Sequence, residues 1–413
     1  MFEANCRYFK IVNMHLSPSV TQNRLMGLLL FEPQKARRFL SDLKTGTATS
    51  GPVPDWSRFV EMAYREGVSA VLFHNITSHR LDDLVPQAHL MALSDQYHAN
   101  LKRNLSIIGA LRDVLAAVQQ DGISCIVLKG IALAERIYPN IAMRGMSDVD
   151  ILIRKADLFR VDDYLSSLGY AARDSTATKA IHNPAGYLAS LEYRKHDPSP
   201  LNLHVHWHPV NTSVPAAVFA DRIDTNRLWD NAVTNDIADS RALMLSPEHL
   251  VIYLCEHALR IGHSFDRLIL ICDIFYALKT IENVIDWDFM IEESRLFNLS
   301  RFVYHGLSIV KHHTSLGIPD ECIAKLRPPD LSRGEKYFLK LQFKNRRIRG
   351  SSYFIYLAMN RGLRAKIKFI TRTFFPPARI LQQRQYRKDN EFSKSLYLLR
   401  IGEIFSQMKK ILK

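Results

Sequence analysis

Asp148 and Asp150 stand one residue apart in Ser147-Asp-Val-Asp-Ile-Leu-Ile153. On a strand, a period of two puts both carboxylates on one face, roughly 6–7 Å apart at Cα. So placed, they repel each other unless a cation lies between them. Mg²⁺ suits such a pair, because it takes one or two carboxylates and completes its shell with water and phosphate oxygens. Lys129-Gly130 lies upstream, with 17 residues between Gly130 and Asp148. It closes one apolar run and opens another. Free N–H groups at a helix start, with a glycine that lets a phosphate approach, make an anion site. Arg144, in the intervening loop, adds positive charge against a phosphate. A DxD alone also fits a solvated strand start or a capping turn, so the surrounding elements decide between these readings.

Those elements can be read from periodicity. Leu101, Leu105, Ile108, Leu111, Leu115 and Val118 are spaced by threes and fours, which predicts a long amphipathic helix. Asp121-Gly122 ends it as a turn. Ile123 to Leu128 reads as a buried strand, and Ile131 to Tyr138 as a helix stopped by Pro139. Asn140 to Ser147 is an irregular loop. Asp148 to Ile153 is a strand entering a core, Ala156 to Leu168 a helix closed by Gly169, and Leu201 to Trp207 an alternating strand. The order describes a small α/β unit with a mixed sheet. Beyond Trp207 the pattern turns helical to about Leu326, with Ser246-Pro247-Glu248 as a helix start. Four regions follow from this reading: an N-terminal helical region (1–95), the α/β core (96–210), a helical domain (211–330) and a basic, aromatic-rich C-terminal segment (331–413).

The segments around the two acids carry a resemblance. They are Val127-Leu-Lys-Gly130, Tyr138-Pro139, Arg144-Gly-Met-Ser-Asp-Val-Asp-Ile-Leu-Ile153, Gly169-Tyr170 and His204-Val-His-Trp207. Leu245-Ser-Pro-Glu-His249, His257, Arg267 to Asp273, Asp286-Trp287 and Phe374-Phe-Pro-Pro377 continue it. Together they resemble the bacterial uncharacterised nucleotidyltransferase family, met near polysaccharide biosynthesis genes, within the DNA polymerase β-like nucleotidyltransferase superfamily. The similarity runs over most of the chain from about residue 20, and Arg144 to Ile153 is its most specific part.

The resemblance implies an α+β fold: a small mixed-sheet nucleotidyltransferase core surrounded by predominantly helical N- and C-terminal regions. It implies Mg²⁺-dependent transfer of a nucleoside monophosphate from an NTP to an unknown acceptor, whether small molecule, glycan or protein. Asp148 and Asp150 would hold the metal, in a site that admits two ions. Gly130, with Ser147 and Lys129, would hold the β- and γ-phosphates. Two features depart from the superfamily. Its phosphate motif is usually a Gly-Gly or Gly-Ser pair about ten residues before the acids, where this chain has Lys129-Gly130. Its third carboxylate, which activates the acceptor hydroxyl, is replaced by His204. Histidine can act as a general base near neutral pH but is a poor Mg²⁺ ligand. A catalytically impaired module that binds nucleotide or a partner is therefore the alternative reading.

Other residues carry less chemistry. His204, His206 and His208 share a strand face that could hold zinc, although packing is the simpler role for His206 and Trp207. Asp273 is a carboxylate in an apolar helix and needs a partner, with Arg267 or Arg260 as candidates. His257 and His263 read as helix histidines with satisfied hydrogen bonds. The five cysteines form no CxxC pair, which favours reduced thiols in a cytoplasm. Met1 to Phe9 lacks a signal-peptide pattern, and no apolar run approaches the roughly 20 residues of a spanning helix.

The net charge of +14 is unevenly placed. Leu331 to Lys413 holds 21 Lys and Arg against 4 Asp and Glu, a balance of +17, which leaves the first 330 residues at −3. A uniformly basic nucleic-acid binder is a poor description of such a chain. In the basic segment aromatics that pack on the body and solvated Lys and Arg account for part of the pattern. Peripheral contact with an anionic membrane through 331–413 comes next, and no nucleic-acid motif is present.

Overall fold

A computed structural model describes residues 18–45, 54–172, 189–195, 201–210, 222–260, 263–348, 350–375 and 402. The chain forms two compact units, Met1–Tyr97 and His98–Lys413. The described part of the first is helical: α1 (Pro18–Phe31), α2 (Pro33–Thr45), α3 (Trp56–Arg65) and α4 (Ser69–Ser78). Leu25, Leu29, Phe59, Leu72 and Ile76 form its interior. Asp55 caps α3 by accepting from the Arg58 N–H. Asn75, buried in α4, donates to the Leu29 carbonyl at 2.8 Å.

The second unit is built around the sheet. The long amphipathic helix is α5 (Gln87–Gln120), whose residues from His98 onward belong to this unit. After it come β1 (Cys125–Val127), α6 (Ile131–Arg136), β2 (Asp148–Ile153), α7 (Leu158–Ser167), β3 (Ala171–Ala172), β4 (Ser190–Lys195) and β5 (Leu201–His206). Next are α8 (Thr225–Asp230), β6 (Val233–Ile237) and β7 (Ser240–Met244). The seven strands lie in the order β3-β4-β5-β2-β1-β7-β6. β2 runs parallel to β5 and antiparallel to β1, so the sheet is mixed, as the α+β reading expects.

Alternation divides the sheet into a packed face and a polar one. Val149, Ile151 and Ile153 of β2, with Leu201, Leu203 and Val205 of β5, point into a core. That core also contains Leu111, Val114, Leu115 and Val118 of α5 and Leu158, Val161 and Leu165 of α7. The remaining positions of β2 and β5 must face the other way. They include Asp148, Asp150, His204 and His206.

The region after Trp207 is not wholly helical, which corrects the sequence reading. β6 and β7 form a hairpin, and β7 joins the sheet parallel to β1 through Ile126 and Leu243. The turn residues, Ala238 and Asp239, both have positive φ, 52° and 54°. That is the two-residue hairpin geometry normally signalled by Asn-Gly or Asp-Gly. The turn is held from outside: the Ala238 N–H donates to Glu135 at 2.9 Å. A tertiary contact supplies what the local sequence does not announce.

Helices complete the unit: α9 (Pro247–Leu259), α10 (Leu268–Ile281), α11 (Trp287–Leu296), α12 (Ser300–His313), α13 (Asp320–Leu326), α14 (Arg333–Phe343), α15 (Tyr353–Met359) and α16 (Leu363–Phe374). Ser246 caps α9 with Pro247 at its first position, as the sequence predicts. α9 is buried almost all round. It meets α12 closely at Gly306, where a Cβ would lie 2.5 Å from the Cys255 sulfur.

Ser332 and Glu335 form a capping box at the start of α14. Buried Glu335 also receives Arg301 and His305. Tyr356 and Phe369 are buried, and Tyr356 packs edge-on against Phe302 of α12 at 5.2 Å. The aromatics here do pack on the body. Of the basic segment, residues 349, 376–401 and 403–413 lie outside the described residues, as do Met1 to Phe9, including Cys6. Among the described residues no helix is long and apolar enough to cross a membrane.

Candidate functional site

β2 and β5 bring the chemistry together. Their register sets Asp150 opposite His204 and Leu152 opposite His206. His204 Nδ1 lies 3.8 Å from Asp148 Oδ2 and 3.7 Å from Asp150 Oδ1. Asp148, Asp150 and His204 therefore converge, as the period-two reading requires. His206 joins them: its Nε2 is 2.9 Å from Asp150 Oδ1. One ligand atom each from Asp150, His204 and His206 can be chosen so that all lie within 4.8 Å of one another.

Asp150 is buried, and Lys129 Nζ stands 3.4 Å from its Oδ2. Burial alone would raise its pKa. Lys129, with the hydrogen bond from His206, reverses that and holds the carboxyl well below the usual carboxylate range. An ionised Asp150 only accepts, so His206 Nε2 carries the proton between them. Among the described residues His206 Nδ1 is then left buried without a hydrogen-bond partner. Burial holds the His206 imidazole below its ordinary pKa, so the ring stays neutral despite the aspartate.

The connection from β1 to α6 delivers Lys129 and Gly130. Gly130 has φ +66°, and a Cβ there would lie 3.6 Å from the Asp148 carbonyl oxygen. Only glycine adopts this backbone readily while holding the start of α6 against β2. Ser147 is exposed and donates from Oγ to Asp148 Oδ1 at 3.2 Å.

Arg144 is placed differently from the sequence reading. Its Nε and Nη2 hold the two oxygens of Asp273 at 2.7 and 2.9 Å, a bidentate buried pair. Tyr138 donates to the same carboxylate at 2.7 Å. One edge of the guanidinium is thus spent on Asp273 rather than presented to a phosphate. Asp273 correspondingly pairs with Arg144, not with Arg267 or Arg260. Arg260 is taken by Glu256 at 2.7 Å.

The Arg144–Asp273 pair ties the loop before β2 to α10. Asn100 and Asn104 of α5 tie its other side, donating to the carbonyls of Ala142, Ile141 and Arg144. Gly145 is forced by this contact, since a Cβ would lie 2.7 Å from the Asn100 side chain. Breaking a buried pair strands a charge, so Arg144→Met is expected to cost about 3–5 kcal/mol in urea unfolding. Arg144→Met/Asp273→Leu together should recover most of that loss. A small effect of Arg144→Met alone would contradict the positioning role.

α9 contributes Tyr253, which sequence reasoning passed over, and His257, which it read as a satisfied helix histidine. Tyr253 and His257 lie one turn apart with stacked rings. Burial, then the Asp150 charge, pushes the Tyr253 hydroxyl well above its ordinary range. Burial, then Lys129 and Arg260, holds the His257 imidazole well below its own. Among the described residues His257 Nδ1 has no hydrogen-bond partner, which differs from the satisfied histidine expected. His208 turns away, with Nδ1 on Val210. The only signal for Tyr253 was its i, i+4 spacing from His257, which is equally that of a buried helix.

A model of the uncharacterised nucleotidyltransferase family matches residues 52–315. The chain belongs to the uncharacterised nucleotidyltransferase family. No curated protein and no solved structure matches it significantly. The family match spans β1 to β7 and α9 to α12, and therefore every residue of the cluster around Asp150.

Nucleotidyltransferases generally use an NTP and a divalent metal, and the donor chemistry of this nucleotidyltransferase fits a divalent cation. Asp148 and Asp150 both lie beside His204, Asp150 is held ionised, and the neutral His206 ring stands against it. The oxygen pair suits Mg²⁺. The imidazoles suit first-row transition ions better.

Proposed function

We propose that this nucleotidyltransferase moves a nucleoside monophosphate from an NTP to a hydroxyl-bearing acceptor. The observation that carries the reading is the convergence of Asp148, Asp150 and His204 on one sheet face beside Lys129 and Gly130, within the matched family region.

A bound divalent cation would supply charge neutralisation on the triphosphate and polarise the phosphoryl oxygens. Asp148 and Asp150 would hold it, with His206 Nε2–H orienting Asp150 and His204 bordering the site. Lys129 reaches the phosphate oxygens from its place beside Asp150, and Ser147 lies at the rim. In the transfer, the acceptor oxygen bonds to the α-phosphorus and the bond to the β-phosphate oxygen breaks. Pyrophosphate leaves with the electron pair. His204, at the position of the missing third carboxylate, takes the hydroxyl proton on the ring nitrogen turned from the carboxylates. Most of the acceleration then comes from placement and charge neutralisation.

One observation favours a second reading, a nucleotide-binding module with impaired catalysis: the base position holds a histidine instead of a carboxylate. Label position separates the activities. With NTPs labelled at the α- or the γ-phosphate and fractionated extract as acceptor, α-label should enter product in a metal-dependent way and γ-label should not. Transfer of γ-label would make the protein a kinase instead. Absence of both, with nucleotide still bound, would favour the impaired module.

A further inference from the structure

α16 lies beyond the residues that match the family, and its outer face is unlike that of an ordinary surface helix. Its inner side is anchored: Phe369 is buried and stacks on Tyr356 at 6.4 Å, with Tyr353 edge-on at 6.3 Å. Tyr356 in turn rests on Phe302 of α12. Leu363, Ile367 and Ile370 point elsewhere, with exposures of 75%, 51% and 43%. At 3.6 residues per turn these three fall in one narrow strip. Arg364 and Lys366 flank it, and Lys368 and Arg372 occupy the rest of the circumference. Phe375, just past the helix, is also exposed.

The charge around this strip has one sign. From Lys336 to Lys388 there are 15 Lys and Arg and no Asp or Glu. A solvated helix face normally mixes signs, whereas a row of large aliphatic side chains bordered only by cations suits an interface that is apolar inside and anionic outside. Nucleic acid matches the charge but not the strip, since single-stranded binding uses exposed aromatic rings on which bases stack. The strip here is aliphatic.

We propose that α16 is a peripheral membrane-docking element. It lays Leu363, Ile367 and Ile370 into the headgroup–acyl boundary of an anionic bilayer, while Arg364, Lys366, Lys368 and Arg372 contact lipid phosphates. The docking is independent of the nucleotidyl-transfer reading. Its effect is to hold the sheet-face site near acceptors carried at a membrane surface.

Co-sedimentation of the full chain with vesicles tests it, comparing phosphatidylglycerol–phosphatidylcholine mixtures with phosphatidylcholine alone. The expected result is binding to the anionic vesicles only, weakened by added salt. Leu363→Asp/Ile367→Asp/Ile370→Asp, at exposed positions that leave the fold intact by thermal melting, should abolish it. Arg364→Gln/Lys366→Gln/Lys368→Gln should weaken it on the order of 100-fold, at about one decade or slightly less per basic residue. Three results would overturn the proposal: equal binding to both vesicle types, binding unchanged by the aspartate variant, or retention on single-stranded nucleic acid without vesicle binding.

Discussion

Replacing Asp150 by asparagine should lower nucleotidyl transfer by about 1,000-fold or more, roughly 4 kcal/mol of transition-state stabilisation. Asp150 is the most connected member of the cluster, contacted by Lys129, His204 and His206. Asparagine keeps the shape but removes the charge on which a cation and the ammonium both depend. The fold has less at stake, since an amide can still accept from His206 Nε2. Lys129, no longer opposed by a negative charge, is partly exposed and can turn toward solvent. Far-UV circular dichroism and the urea midpoint should therefore stay close to the parent while transfer is lost. Equal loss of both would make Asp150 a structural residue. Unchanged transfer would remove the sheet face from the mechanism.

Replacing His204 by aspartate should change which metal works. In the parent, two imidazoles crowd the carboxylates, and nitrogen donors favour Mn²⁺ or Co²⁺ over Mg²⁺. Aspartate at 204 would face Asp150 across the parallel β2–β5 pair and complete an all-oxygen set. Mg²⁺-supported transfer should then rise about tenfold or more relative to Mn²⁺-supported transfer, a difference of ~1.4 kcal/mol. An inert parent that gains Mg²⁺-dependent transfer through this substitution would be the impaired module. A metal preference unmoved by it would show that residue 204 neither ligates nor borders the cation.

What the sequence makes legible here is what repeats locally. β2 occupies Asp148–Ile153, the bounds its alternation predicts, and the same alternation puts the two acids on one face. The helix from Leu101 and the Ser246-Pro247 start are likewise local patterns. β4 and the β6–β7 hairpin are not, because sheet partners and the Glu135 contact stabilise them from elsewhere in the chain. The surroundings of the acids divide the same way. Lys129, Asp148, Asp150 and His204 follow from spacing and resemblance. The bonds of Arg144 to Asp273 and of Asn104 to the loop span 129 and about 40 residues, and no periodicity carries such information. His206 was read as packing because a buried histidine on an apolar strand usually is; only the β2–β5 register shows its Nε2 on Asp150.

The central claim is that Asp148, Asp150 and the adjoining histidines form a metal-dependent nucleotide site. Mn²⁺ titration followed by electron paramagnetic resonance, with and without NTP, tests it without needing the acceptor. The parent should remove free Mn²⁺ from solution, more tightly when NTP is present. Asp150→Asn should weaken that binding by about 10–100-fold or more. Identical titrations of parent and variant would contradict the account.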